Sequence, residues 1–206
     1  MTGGVFALVP VKDPAQGKSR LAELLDASER LALNRQLARR TFECCSAVFG
    51  PERTVVVTTA DTIVAEASAW GLMVVREGSG GGLNAVLALA ARHAMGQGAE
   101  ALVVVPVDLV LVTPEALRSV VADLMKAPGC VLVPDRHGTG TNLLAVRPAR
   151  ADLFCFGERS MDEHRRAAAK AGVEARVRAD PILALDLDTP EDYRLWRGVG
   201  ASRSNG

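Results

Sequence analysis

The 206-residue chain is poor in aromatics, carries no net charge, and has few histidines and cysteines. Lysine and arginine number 24 against 24 aspartate and glutamate, so no bulk field draws the chain to nucleic acid or to an anionic membrane. Any anionic ligand must therefore be held locally. No apolar stretch reaches the roughly 18 residues of a spanning helix, and the first residues lack the cationic start and apolar centre of a signal peptide. The expectation is a cytoplasmic protein. His93, His137 and His164 are too scattered for a metal motif. Cys44, Cys45, Cys130 and Cys155 include no C-x-x-C pair and read as reduced, mostly buried thiols. No G-x-S-x-G elbow occurs, so covalent serine or cysteine catalysis has little support. What is present is 49% hydrophobic residues with 23% charged, which excludes a disordered chain and suits one domain with a substantial core.

Short Val/Leu/Ile runs alternate with longer segments of helical period, the pattern of strand-helix-strand units in a mostly parallel sheet covered on both faces. Strands are expected at Val5 to Val11, Arg53 to Thr59, Leu72 to Val75, Ala101 to Val107, Cys130 to Pro134, Asn142 to Val146 and Ile182 to Leu187. Asp26 is placed to cap a helix running to Phe49, Asp61 one from Thr62 to Trp70, and Thr113 one that begins with Pro114. Gly71 suits a left-handed helix end, Ser160 to Glu163 reads as a capping box, and Thr189 to Asp192 opens the last helix similarly. No linker separates two cores, so residues 1–198 read as one α/β domain and 199–206 as a frayed polar tail.

In open parallel sheets, ligands bind beyond the carboxyl ends of the strands. After the first strand stand Lys12, Gly17, Lys18, Ser19 and Arg20. Gly17-Lys18-Ser19 resembles the end of a Walker loop, but Lys12 occupies the position of that motif's first glycine, so this is no P-loop. The cations and exposed amides still suit a triphosphate cradle, with a solvated basic turn as the plainer reading. Arg76 to Asn84 holds Gly78, Gly80, Gly81 and Gly82 and fails as a dinucleotide fingerprint because Leu83 stands where glycine is required. It reads either as a flexible connection or as a base pocket formed by main chain and the Asn84 amide.

The strongest signal is acidic. Asp108 directly follows an apolar strand, and Asp186 and Asp188 flank Leu187, two apart and therefore on one face of an extended chain. Carboxylates at strand ends are costly unless paired or bound to a cation, and an oxygen-only set favours magnesium over zinc. The plainer reading is that Asp108 and Asp188 begin turns. Gly157 to Ser160 opens a helix whose free amides would attract a phosphate monoester, although Ser160 could serve as the cap alone.

Taken together, ALVPVKDPAQGKSRL, GGLNA, Pro106-Val107-Asp108-Leu109, GTGTN, the segment Phe156 to Ser160 and DLDTPED resemble the guanylyltransferases of deazaflavin coenzyme F-420 biosynthesis, the CofC/FbiD family. The six motifs occur in the family's order over nearly the whole chain. The resemblance implies a single-domain, three-layer αβα Rossmann-like (GT-A-like) nucleotidyltransferase fold. It implies transfer of GMP from GTP to phosphoenolpyruvate, 2-phospho-L-lactate or 3-phospho-D-glycerate, with release of pyrophosphate and a downstream lactyl-type transferase as partner. By the same resemblance Asp108, Asp186 and Asp188 hold one or two magnesium ions, and Asp108, Lys18 and Arg20 are catalytic. Lys12, Gly17, Lys18 and Ser19 would hold the triphosphate, and Gly81, Gly82, Leu83 and Asn84 the guanine. Thr141 or Asn142, with Gly157 and Ser160, would bind the phospho-acid. The chain departs from the family pattern at Asn142 and at Val110-Leu111, which bears on acceptor choice and on the loop after Asp108. A molybdopterin guanylyl- or cytidylyltransferase and a non-catalytic nucleotide-binding module are the alternative readings, and the oligomeric state, a homodimer included, is left open.

Overall fold

Every residue of a buried strand must bury its side chain on one sheet face or the other, and this chain supplies apolar residues for both. A computed structural model describes residues 4–76 and 81–203; Glu77 to Gly80 of the glycine-rich segment and residues 204–206 of the expected tail lie outside the described residues. Elements follow in the order β1 (Val5–Pro10), α1 (Ala27–Phe49), β2 (Thr54–Thr58), α2 (Asp61–Ala69), β3 (Met73–Arg76), α3 (Gly82–Gly96) and β4 (Ala101–Val104). Then come α4 (Pro114–Lys126), β5 (Gly129–Pro134), β6 (Thr141–Arg147), α5 (Ser160–Lys170), β7 (Ala175–Val177) and α6 (Pro190–Arg203). The sheet order is β3-β2-β1-β4-β6-β5-β7. β6 runs antiparallel to both its neighbours while the other pairings are parallel.

The period-two alternation divides the core. Val5, Ala7, Val9, Val103, Val131 and Ala145 face α1, α2 and α4, where Phe42, Phe49, Ile63 and Leu117 are buried. Phe6, Leu8, Leu102, Leu132 and Leu144 face α3 and α5, against Leu87, Ala90 and Met161. A third, smaller cluster gathers Leu21, Leu33, Leu37, Val110, Leu185 and Leu187, with Tyr193 and Trp196 packed on it. This last cluster positions the site, because it fastens the end of the basic loop and the Asp186–Asp188 segment to the same apolar patch.

Local chemistry explains most boundaries. Asp26 caps α1 in a capping box with Glu29, and Thr113 Oγ1 accepts from the Ala116 amide ahead of Pro114. Gly71 has φ of 71°, as the helix end requires. Four expectations need correction. The segment Ile182 to Leu187 is not a strand: Asp180 Oδ1 accepts from the Ile182 and Leu183 amides, bending the chain after Pro181, and only an isolated bridge from Asp186 to Leu109 remains. Asp61 is the first residue of α2 rather than its cap, in the turn where a carboxylate still favours the helix dipole. Ser160 does not cap α5 either, since Arg159, in the left-handed region at φ 53°, takes the cap position. The last helix continues to Arg203, into the segment 199–206 that was expected to be a frayed tail. β7 is too short and mixed in composition to be seen as a strand without its partner β5. Among the cysteines, Cys44, Cys45 and Cys130 are buried free thiols and Cys155 is half-buried.

Candidate active site

A cleft of about 600 Å³ opens at the carboxyl ends of β1 and β4, floored by the loop after β1 and by the start of α3. It brings together nine of the residues singled out from sequence: Lys12, Gly17, Lys18, Ser19, Arg20, Gly82, Leu83, Asp108 and Asp188. The basic loop is folded by its own side chains. Asp13 accepts from the Ala15 amide at 3.0 Å, and Asn34 on α1 donates from Nδ2 to the Pro14 carbonyl at 2.7 Å. Gly17 passes so close to Asn34 that a Cβ there would lie 2.7 Å from Nδ2. A side chain there would have to push the Asn34 amide off the Pro14 carbonyl. Lys18 follows in the left-handed region at φ 59°, a conformation uncommon for a non-glycine residue, and the turn aims its side chain inward.

The inward ammonium meets the acids. Lys18 Nζ lies 3.1 Å from Asp188 Oδ1 and 3.9 Å from Asp108 Oδ2. The three aspartates are brought near one another by the backbone: the Leu187 amide donates to the Asp108 carbonyl at 3.0 Å, and Leu109 bridges Asp186. Leu185 and Leu187 turn into the third cluster, which leaves Asp186 and Asp188 on the opposite side. Burial raises the Asp108 carboxyl above its ordinary range; Lys18 opposes this and Asp188 adds to it. Burial likewise lifts Asp186 to about 6, with the Asp108 charge next, partly offset by the Asn142 amide. One lysine thus faces a surplus of negative charge. Among the described residues, no three His, Cys, Asp or Glu side chains stand as a ready-made metal-binding group.

The backbone of Asp188 is itself held. Asp192 Oδ2 accepts from the amides of Asp188 at 3.1 Å and Thr189 at 2.7 Å and from the Thr189 hydroxyl, while Arg136 Nε sits 3.0 Å from Oδ1. Arg136 belongs to the β5–β6 loop that leads into Thr141.

The remaining expected residues stand apart from the cleft lining. Thr141, Asn142 and Ser160 are buried, at 7%, 7% and 3% exposure, and Ser160 Oγ accepts from the Thr141 amide at 2.8 Å. Asn142 Nδ2 donates to the Leu183 carbonyl at 3.0 Å and reaches Asp186 at 3.3 Å. Gly157 is exposed, with φ of 143°. Gly81 caps α3. The Asn84 amide is not free for a purine edge: it donates to the Phe156 carbonyl at 2.9 Å and accepts from the Phe156 amide at 2.8 Å. Its work in this structure is to pin the segment before α5 to the start of α3.

Sequence reasoning did not find Asn34, the pairing of Arg136 with Asp192 or the role of His164. Only Asp192 had a local signal, its spacing from Thr189; the others act on partners far along the chain. His164 is buried at 1% exposure between Cys155, Thr141 and Phe156.

The fold is that of the nucleotidyltransferases. A nucleotidyl transferase from Methanothermobacter thermautotroptrophicus superposes with a TM-score of 0.66 at 19% identity, covering 97% of this chain and 99% of that one. CMP:2-keto-3-deoxy-manno-octonic acid synthetase complexed with CTP superposes with a TM-score of 0.64 at 12% identity, over 98% and 100% of the two chains. Residues 5–196 match the family described as guanylyl transferase CofC like, and the chain belongs to that family. Among its relatives, phosphoenolpyruvate guanylyltransferase of Rubrobacter xylanophilus is 38% identical over 95% of both chains. The enzyme of the same name from Streptomyces coelicolor is 36% identical over 94% of this chain and 91% of its own. A 3-phospho-D-glycerate guanylyltransferase of Colwellia psychrerythraea is 29% identical over 91% and 89%.

Proposed function

We propose that the protein transfers GMP from GTP to the phosphate of phosphoenolpyruvate, releasing pyrophosphate, as a step of coenzyme F-420 biosynthesis. The single observation that carries the reading is the cleft in which Lys18 is shared by Asp108 and Asp188 beneath a loop bearing Lys12 and Arg20. Phosphoryl chemistry between two anions needs charge neutralisation and alignment more than proton transfer. A phosphate dianion is already a nucleophile, so no general base is required. One of its oxygens attacks the α-phosphorus of GTP, a P–O–P bond forms, and pyrophosphate departs with the electrons of the broken α–β bridge. Lys18, Lys12 and Arg20 supply positive charge to the triphosphate, and Leu83, apolar and 40% exposed at the cleft, offers a wall for the guanine.

The donor set fits a magnesium ion. Asp108 and Asp188 are oxygen donors at the cleft, burial and then the Asp108 charge raise the neighbouring Asp186, and magnesium commonly takes one or two carboxylates together with substrate phosphates rather than a closed protein cage. Asp108 and Asp188, with Asp186 beside them, would hold the ion, which supplies charge stabilisation at the transferring phosphoryl group. Thr141, Ser160 and Gly157 form the acceptor side in this reading.

Phosphoenolpyruvate is preferred over 3-phospho-D-glycerate because relatives named for the former include one at 38% identity, against 29% for the latter. The test offers phosphoenolpyruvate, 3-phospho-D-glycerate and 2-phospho-L-lactate separately with GTP and magnesium and follows pyrophosphate release. Phosphoenolpyruvate is expected to give the highest kcat/KM. Preference for another acceptor would replace it, and no release with any of them would defeat the reading.

A further inference from the structure

We infer that His164 is a positioning residue that fixes the direction of the Thr141 hydroxyl proton, making Thr141 a hydrogen-bond donor toward the anionic acceptor. The inference rests on the acceptor side proposed above and extends it by one residue that touches neither substrate.

The ring's hydrogen bonds determine its tautomer. The Cys155 amide donates to His164 Nε2 at 3.1 Å, so that nitrogen must carry a lone pair. A neutral ring then has its proton on Nδ1, which lies 2.9 Å from Thr141 Oγ1. Nδ1–H is therefore the donor, and the hydroxyl oxygen accepts from it beside the Ser160 carbonyl, which also acts on the ring. Burial holds the imidazole to a pKa of about 4, so the ring is neutral near pH 7.

The consequence falls on the hydroxyl. With one lone pair occupied by His164, the Thr141 O–H points elsewhere, and among the described residues no acceptor takes it. The opposite tautomer would draw the Thr141 proton into the ring and leave only lone pairs facing outward, which an anion would avoid. Ser160 behaves the same way: its Oγ accepts from the Thr141 amide at 2.8 Å and keeps its own proton to donate. Two adjacent hydroxyls thus have an acceptor lone pair filled from inside and a proton left over, the polarity suited to a phosphate or carboxylate.

The ring is also prevented from turning. Phe156 meets it edge-on, with centroids 4.7 Å apart and planes at 77°, and Asn84 grips both backbone groups of Phe156. A flip about the ring axis would break the Cys155 and Thr141 contacts together.

Nitrogen-15 NMR of histidine-labelled, full-length wild-type protein at pH 7 reads the tautomer directly and needs no activity. Protonation on Nδ1 is expected; protonation on Nε2, or on both nitrogens, would overturn the assignment. Kinetics then separate positioning from packing. His164→Phe keeps the ring bulk without the donor and should raise KM for phosphoenolpyruvate at least tenfold while leaving KM for GTP within twofold. His164→Asn, which restores an N–H near the Nδ1 position, should recover most of that loss. An equal rise in both KM values, or a lowered Tm with unchanged KM values, would reduce His164 to a packing residue. Should His164→Phe fail to fold, the wild-type tautomer still decides, and Thr141→Val, nearly isosteric, should reproduce the selective rise in acceptor KM; no rise there would overturn the proposal. Failure of the wild type to use any phospho-acid would defeat the function reading, whereas a wrong tautomer defeats this assignment alone.

Discussion

Lys18 Nζ and Asp188 Oδ1 lie 3.1 Å apart although 170 residues separate them in the chain. The contact joins the loop after the first strand to the segment entering the last helix, and Asp108, from the middle of the sheet, shares the same ammonium. Each of the three arrives from a different part of the chain. Their meeting is arranged by apolar anchors: Leu21 just after the basic loop, and Leu185 and Leu187 around Asp186, all pack in one cluster. The candidate site is thus held by a small hydrophobic patch behind it.

Lys18→Met keeps the unbranched stem of the side chain and removes its charged end. Asp188 is 49% exposed, so solvent screens its share of the contact to below about 1 kcal/mol, while the half-buried Asp108 loses the cation that opposes its burial and should take up a proton more readily. GMP transfer should fall on the order of 10²- to 10³-fold, because charge placed where it develops in the transition state is worth far more than an exposed ion pair. Thermal denaturation and pyrophosphate release, measured on one preparation, check both halves.

Gly17→Ala should be costly even though its backbone does not require glycine. The added Cβ would meet Asn34 Nδ2 at 2.7 Å, and that amide is already committed to the Pro14 carbonyl. Overpacking of this kind costs about 1–3 kcal/mol, and the shifted loop should raise KM for GTP. Asn34→Ala alone loses the Pro14 contact, but in the double variant the collision is gone, so the two losses should not add. A double-mutant cycle by urea denaturation gives the coupling.

What the sequence made legible was local. Asp26, Thr113 and Thr189 mark helix starts through partners three residues away, and the basic loop declares itself by Lys12, Gly17, Lys18 and Arg20 within nine residues. Distant partners were invisible. Nothing near Asn84 indicates that Phe156, 72 residues on, occupies its amide, nor that Ser160 spends its hydroxyl on Thr141 instead of capping its own helix. The run ILALDLD has strand composition and strand alternation, and its leucines do bury. Asp180 turns the chain before a ladder can form, so composition alone misjudged it.

Asp192→Asn tests the support behind Asp188. Burial raises the Asp192 carboxyl, but hydrogen bonds from Thr189 and Asp188 and the charge of Arg136 outweigh it and hold it below the ordinary range. The amide substitute keeps one acceptor oxygen but offers Arg136 no charge. A loss of about 1–3 kcal/mol is expected for a buried, charge-assisted network disturbed in this way. Turnover should drop as well, since the Asp188 amide is no longer fixed, and Arg136→Lys should show the same pattern more mildly. Urea denaturation alongside kcat measurement distinguishes this from a purely structural defect, which would leave kcat intact at low temperature.

His164 gives the fold a specific acid sensitivity. Burial drives its pKa to about 4, partly opposed by the Ser160 carbonyl, against about 6.5 for an unperturbed histidine in the unfolded chain. Between those values the unfolded state binds a proton that the native state refuses, so stability rises with pH across the window and is lost as pH falls through it. Protonation would also remove the Nε2 lone pair that accepts from Cys155, setting two N–H groups against each other. The full gap corresponds to about 3 kcal/mol, most of it developed by pH 4.5. Wild-type protein and His164→Asn, compared by urea denaturation at pH 7 and pH 4.5, should differ accordingly. The wild type should lose about 2–3 kcal/mol more than the variant over that interval. Equal losses would mean that the native imidazole takes up its proton as readily as the unfolded one, and that burial does not hold it neutral against the Cys155 amide.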